Sequence, residues 1–453
     1  MIHIKRYAKQ YLITILILSV LLRVAVAFYL GDEIDAPSLL TDQRSYHALG
    51  ARLLGGHGFS FDLNWYPFTL ADTPTAHWSF LYSFFVAGVY ALFGPHPLAV
   101  RLVQAVLGGI LLPWAVYRLA KSMFGDEDKY ERSALLAALI AALYGYLVLY
   151  AATLMTETFY IIVVLWSLAI GLQIVRHLSA SRPISLSMGL QLGISLGLAA
   201  LIRQSILPWA PVMFLYLLWL ARQSRQVWST LRVLVIAGLL LIAFIAPFTL
   251  RNYAVYGQFL LLNSNTGYAM YSAQHPMHGT SFREFDAAPL PEGWWGRPEP
   301  ELDRDLMRQA IRFVLDEPGR YLLLSLSRVR AFFEFWPTPD TTLLHNIGRV
   351  GSFGLFLPFM VYGIVLAFRS PLFIKRNGLL LLFCVFYTVL HLFTWAMVRY
   401  RLPIDVVLIP FAALGLIDLA RRVRTVIPWR VCRAGPDGSY ETDVQEPMGT
   451  MEN

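Results

Sequence analysis

The sequence predicts an all-α polytopic membrane protein, and three observations carry that prediction. Hydrophobic residues make up 57% of the 453-residue chain and charged residues only 15%, against about a quarter charged in soluble domains. The apolar residues collect into runs long enough to cross a bilayer, for which roughly 20 helical residues suffice. Basic residues stand beside alternate run ends, as anchoring at the inner face requires. The net charge of +8 therefore points to membrane anchoring and not to a nucleic-acid partner. Of the two cysteines, Cys384 lies inside an apolar run and Cys432 in the tail, which argues against a disulfide framework or a zinc cluster.

The apolar runs fall near 11–30, 79–93, 98–120, 133–150, 155–176, 186–202, 205–221, 230–252, 350–368, 377–396 and 402–420. No small-residue cleavage pattern follows the first, which reads as a retained helix. Lys5, Arg6 and Lys9 precede it; Arg118, Lys121, Lys129 and Arg132 flank the connection before 133. Both clusters belong inside, so an even number of spans separates them. Three runs lie between, and the shortest, 79–93, ends at Gly94-Pro95 after about fifteen residues, a length typical of interfacial or re-entrant segments. Placing it on the outer face leaves about ten spans with both termini inside.

The chain then divides into a seven-span core over 1–252, with a long first outer loop at 31–97 carrying interfacial helices. A second large outer segment follows at 253–348, then three spans over 349–420 and a cytoplasmic tail at 421–453. The second outer segment contains PLPEGWWGRPEP and no lysine, with surface helices expected near 302–316 and 319–335. The Gly-, Pro- and acid-rich residues from 434 onward have the composition of a disordered tail.

With this topology the ionisable residues at span ends gather on one side. Asp42 heads an amphipathic stretch, TDQRSYHALGARLLGGHG, in which Thr41 or Asp42 can cap a helix and Gly55-Gly56 stops it. Arg101, Glu157, Arg203, Arg251, Arg399 and Arg401 fall at the outer ends. An isolated Asp before a helix usually only caps it, and single arginines at span ends commonly snorkel to headgroups. Five arginines and two carboxylates on one face indicate a shared polar cavity, because charges at membrane depth are costly. Fixed guanidiniums suit a phosphate or pyrophosphate. A carboxylate opposite them suits a general base, and cations stabilise charge on a departing phosphate. A carrier or flippase for a lipid-linked anion would use nearly the same composition, although spans broken mid-membrane would mark it better.

The run D-x3-Y-x-A-L-x3-L-L-x-G-x-G-F from Asp42 to Phe59 resembles the first outer loop of bacterial family 39-type glycosyltransferases of GT-C fold. So do PTAHWSFLY, TETFY at Thr156–Tyr160, GLAALIRQ at Gly197–Gln204, PFTLRNYAVYGQF at Pro247–Phe259 and RYRLP at Arg399–Pro403. Relatives include the protein O-mannosyltransferases and the aminoarabinose transferase of lipid A. The resemblance implies transfer of a sugar from a polyprenyl-phosphate carrier, with inversion, at the outer face of a bacterial plasma membrane. Asp42 matches the base, Arg101 an arginine opening the next span, and Glu157 a later acidic residue. The sequence departs from the mannosyltransferases at Gln43, where they carry Glu, and at Pro74-Thr75-Ala76-His77, where many relatives carry paired prolines. Both departures bear on the acceptor, which is a lipid, a glycan or a protein.

The expected site therefore comprises Asp42 and Glu157 as catalytic residues, with Arg101, Arg203, Arg251, Arg399, Arg401, Tyr46 and His77 binding substrate. Tyr66 and Trp78 are candidates to stack on the sugar. Some relatives bind a divalent metal ion near the first-loop carboxylate. His47, His57, His77, His275 and His278 are available to it here, without a recognisable ligand spacing.

Overall fold

A computed structural model describes residues 2–35, 42–125, 128–284, 286–339, 341, 343–426, 432–434 and 440–442. Seventeen α-helices dominate it. Helix α1 (Ile2–Leu30) leads to α2 (Asp42–Leu54), α3 (Phe80–Phe93), α4 (Pro97–Phe124), α5 (Asp128–Leu143), α6 (Gly145–Ala151) and α7 (Glu157–Ser179). Next come α8 (Leu186–Ile202), α9 (Trp209–Gln223), α10 (Val227–Tyr256), α11 (Thr266–Gln274), α12 (Glu299–Asp316) and α13 (Pro318–Phe332). Finally α14 (Leu343–Arg349), α15 (Leu355–Phe368), α16 (Pro371–Phe393) and α17 (Val398–Val426) complete the chain. Within the tail, Cys432–Ala434 pairs antiparallel with Tyr440–Thr442; the remaining tail residues lie outside the described set.

Eight helices are long and apolar enough to cross a membrane, and α5 with α6 forms a ninth candidate bent by 57°. Helix α8, at 17 residues, falls just short of that length, and with it the candidates number ten. Helix α3 has 14 residues, about 21 Å at 1.5 Å per residue, less than the roughly 30 Å of a hydrocarbon core. Ser79 caps its start by accepting from the Tyr82 amide, and Gly94 ends it.

Close packing between spans rests on small residues, since apolar side chains gain little by leaving lipid. Gly189, Gly193 and Gly197 form one stripe on α8 against α10. A Cβ on Gly193 would sit 2.8 Å from the Ala237 carbonyl oxygen.

The bend between α5 and α6 leaves carbonyls without helical partners, which is expensive in a bundle interior. Arg23, fully buried on α1, donates to the carbonyls of Ala141 (3.1 Å) and Ala142 (2.9 Å). Ser352 accepts from the Tyr146 amide at 3.0 Å. The break is thus satisfied by side chains from two other helices.

Candidate active site

Helix α2 is amphipathic, and the face with Tyr46 and Leu49 is buried. That burial fixes the helix and places Asp42, its first residue, over the ends of α7, α8 and α17. Thr41, the alternative cap, lies outside the described residues. The Asp42 carboxylate accepts from Arg399 Nη1 at 2.7 Å. Arg399 Nε stands 4.0 Å from Glu157, and Glu157 is paired with Arg203. Arg203 also donates from Nε to Thr156 Oγ1 at 2.8 Å.

Two carboxylates and two guanidiniums from four separate segments therefore form one cluster. Glu157 is almost wholly buried at 2% side-chain exposure, whereas Asp42 keeps 22%, Arg203 18% and Arg399 14%. The three exposed members can meet a ligand; Glu157 reaches it only through the arginines. Glu157 Oε2 and Arg399 Nε are buried without hydrogen-bond partners, so the cluster keeps unused capacity. Tyr400 lies beneath both guanidiniums, 5.5 Å from Arg203 and 5.3 Å from Arg399.

The other expected residues separate into different roles. Arg101 is fully buried and donates to the carbonyls of Gly31 (2.7 Å) and Glu33 (2.6 Å) and to Gln43 Oε1 (3.1 Å). It ties the end of α1 to the start of α2 and so fixes Asp42 from one residue away. Gln43 Oε1 also accepts from the Leu154 amide at 3.1 Å, a buried role that a neutral amide fills without adding charge beside Asp42. Arg401 is not brought to the cluster. It is buried against Asp405 at 2.9 Å and donates to the Phe332 carbonyl at 2.6 Å. Asp405 is further held by the Tyr144 hydroxyl at 2.8 Å. Arg251 lies apart too, donating to the Thr75 carbonyl at 3.0 Å. It lines a cavity of about 380 Å³ with His57, Asp72 and Phe84.

Tyr46 is buried, edge-on to Trp78 and Tyr82, and burial, with Asp42 next, raises its pKa. His77 packs edge-on to Phe68 and Trp78. Burial lowers its pKa, opposed by the charges of Glu299 and Asp42. The remaining histidines do not converge on Asp42. His47 bonds the Tyr90 hydroxyl at 2.7 Å, while His275 and His278 pack on Tyr271 and Phe282 within the 253–348 segment. Among the described residues no three His, Cys, Asp or Glu side chains gather as a metal site.

Glu299 is a residue that sequence reasoning missed. Its buried carboxylate accepts from Thr69 Oγ1 (2.9 Å), the Ala76 amide (2.7 Å), Ser264 Oγ (2.7 Å) and Tyr256 OH (3.4 Å). It thus locks the 253–348 segment onto the loop that carries His77. Asn263 and Asn265 add bonds to the carbonyls of Ala76, His77 and Trp78. Nothing in the helical run 299–316 distinguishes Glu299 from its solvated neighbours, so only the donors across the seam reveal it. Tyr268, hydroxyl to hydroxyl with Tyr66 at 2.6 Å, was equally hidden.

The fold and the site together define a GT-C-fold membrane protein with a charged cluster at one end of its spans. The family model described as dolichyl-phosphate-mannose-protein mannosyltransferase matches residues 75–250, a stretch that holds Arg101, Glu157 and Arg203 but neither Asp42 nor Arg399. The oligosaccharyltransferase AglB of Archaeoglobus fulgidus, solved with an inhibitory peptide and a dolichol-phosphate, aligns at TM-score 0.58 and 16% identity. That alignment covers 94% of this chain and 53% of that one. The Archaeoglobus fulgidus oligosaccharyltransferase tethered to an acceptor peptide aligns at TM-score 0.57 and 14% identity, over 93% and 50%. The chain thus spans about half the length of these solved proteins. ArnT from Cupriavidus metallidurans, solved with undecaprenyl phosphate, aligns at TM-score 0.42 and 14% identity over 92% and 80%, too low to bear on the fold. No curated protein matches the chain.

Proposed function

We propose that this protein is a membrane glycosyltransferase that moves a sugar from a polyprenyl-phosphate-linked donor to a lipid, glycan or protein acceptor at the outer face of a bacterial plasma membrane. The observation that carries the reading is the Asp42–Arg399–Glu157–Arg203 cluster at the ends of α2, α7, α8 and α17. Asp42 takes the proton from the acceptor hydroxyl or amine as that atom bonds to the anomeric carbon. The carbon–oxygen bond to phosphate breaks on the opposite side, giving inversion, and its electron pair passes to the phosphate oxygen. Arg203 and Arg399 stabilise that charge from fixed positions. Glu157 holds both guanidiniums in register.

One feature favours the rival reading of a carrier for a lipid-linked anion: the bend between α5 and α6. Its freed carbonyls are already met by Arg23, and among the described residues no second helix pair is broken in this way. Surface chemistry therefore accounts for more of the molecule than transport does.

The test is release of polyprenyl phosphate by purified protein in nanodiscs. The assay offers a panel of polyprenyl-phosphate sugars with envelope lipids as acceptor and compares wild type with Asp42→Asn. Loss of a general base slows turnover by roughly 10²–10⁴-fold. Equal release by both proteins would return Asp42 to a helix-capping role. No release by folded wild type with any donor would favour the carrier.

A further inference from the structure

A wall of aromatic rings runs on from Tyr46 of α2. Tyr46 lies 5.8 Å edge-on to Trp78, His77 5.2 Å from Trp78, and Tyr268 5.8 Å edge-on to Tyr66. Tyr46 lies one helical turn after Asp42 on α2, and its ring contact with Trp78, and that of Trp78 with His77, carry the wall onward from the carboxylate. Two neighbouring nitrogens in this wall, His77 Nδ1 and Trp78 Nε1, are buried without a hydrogen-bond partner. An unpaired buried polar group costs about 1–3 kcal/mol, and two side by side beside a candidate base call for an explanation.

Their chemistry is complementary. Burial lowers the pKa of His77, and a neutral imidazole offers its unpaired Nδ1 as an acceptor in one of its two tautomers. The indole of Trp78 can only donate. One acceptor and one donor among ring faces and edges match adjacent hydroxyl groups on a sugar. Charge is the other half of the argument. Asp42 and Glu157 are each paired with an arginine, and Glu299 spends its oxygens on donors within the seam. The charge of Glu284 acts on Tyr146 and Tyr150. Asp303 accepts from the Gly267 amide at 2.6 Å beside Tyr268, so an ammonium group on the sugar would have to compete with the donors these carboxylates already hold. A carboxylate on the sugar would compete for the two guanidiniums assigned to phosphate.

We infer that the wall of Tyr46, Tyr66, His77, Trp78 and Tyr268 is the subsite for an uncharged sugar, with His77 Nδ1 accepting from and Trp78 Nε1 donating to its hydroxyls. The inference rests on the glycosyltransferase reading and names its donor class.

The experiment is equilibrium binding to the nanodisc-held protein, using short-chain prenyl phosphates bearing a neutral hexose, a hexosamine, a hexuronic acid or no sugar. The neutral hexose is expected to bind more tightly than the bare prenyl phosphate, and both charged sugars more weakly than the neutral one. Trp78→Phe and His77→Phe, which keep an aromatic ring in place, should each reduce the neutral-sugar affinity about three- to ten-fold. Neither should change binding of the sugar-free ligand, which also serves as the folding control. Equal or tighter binding of a charged sugar overturns the inference, as does an unchanged neutral-sugar affinity in both variants. Binding of bare prenyl phosphate with no gain from any sugar overturns this inference alone. Binding of no prenyl phosphate at all overturns the glycosyltransferase reading and the subsite with it.

Discussion

Glu157→Gln should tighten binding of polyprenyl phosphate while weakening the empty protein. In the cluster two carboxylates offset two guanidiniums, and Glu157 is the member that substrate cannot touch. It accepts from Arg203 and lies 4.0 Å from Arg399, so an incoming phosphate must share both cations with it. A phosphate bridging the guanidiniums would stand about 6 Å from the Glu157 carboxylate. At an effective dielectric of about 20 their repulsion is about 3 kcal/mol. The arginines keep partial contact with solvent, which reduces this, so the expected gain is about ten-fold in affinity, with roughly 100-fold as the ceiling. Without ligand the substitution leaves two guanidiniums facing one carboxylate. Removing one member of a buried pair is destabilising by about 3–5 kcal/mol, less here because the amide oxygen still accepts from Arg203. The assay is thermal unfolding in detergent with and without polyprenyl phosphate. Glu157→Gln should melt earlier than wild type when empty and gain more from the ligand. Weaker or unchanged binding in the variant would refute the shared-cation account and leave Glu157 as a scaffold residue.

The pH dependence of stability should report Glu284. Burial, reinforced by Glu334, raises its pKa from 4.5 to about 7. The folded state therefore holds a proton that the unfolded chain releases above pH 4.5, and stability falls as pH rises from about 4.5 to 7. Glu284→Gln should show a flatter melting-temperature profile across that window; identical slopes would count against the buried placement. Glu299→Ala strands four donors and should lower the melting temperature and speed proteolysis between residues 60 and 78, while Glu299→Gln keeps part of the bonding and falls between. Arg401→Met leaves Asp405 charged and buried, and size-exclusion profiles should reveal loss of folded protein; Arg401→Met combined with Asp405→Asn should recover part of it. Arg23→Leu strips the bend carbonyls of donors, and should cost several kcal/mol of stability while leaving the affinity of surviving protein for polyprenyl phosphate unchanged.

The membrane character and the helix positions were legible in the sequence because both depend on local patterns. A bilayer demands long apolar runs with satisfied backbones, and the runs at 98–120, 155–176 and 230–252 became α4, α7 and α10. Glu157, Arg203 and Arg399 were identifiable as charges at span ends, where their cost marks them out, and Asp42 as the head of an amphipathic stretch. Which of the arginines met which carboxylate was not legible. Arg399 and Arg401 are two residues apart, about 200° around a helix, and that rotation sends one to Asp42 and the other into the bundle against Asp405. Arg101 and Arg251 likewise turned to backbone carbonyls that no sequence pattern announces. Glu299 and Tyr268 stayed hidden for the same reason: Thr69 and Ala76, which Glu299 binds, and Tyr66, which Tyr268 binds, lie more than 200 residues away in the chain. Hydropathy reads the solvent that each residue prefers; only the packing of distant segments decides which polar atoms meet.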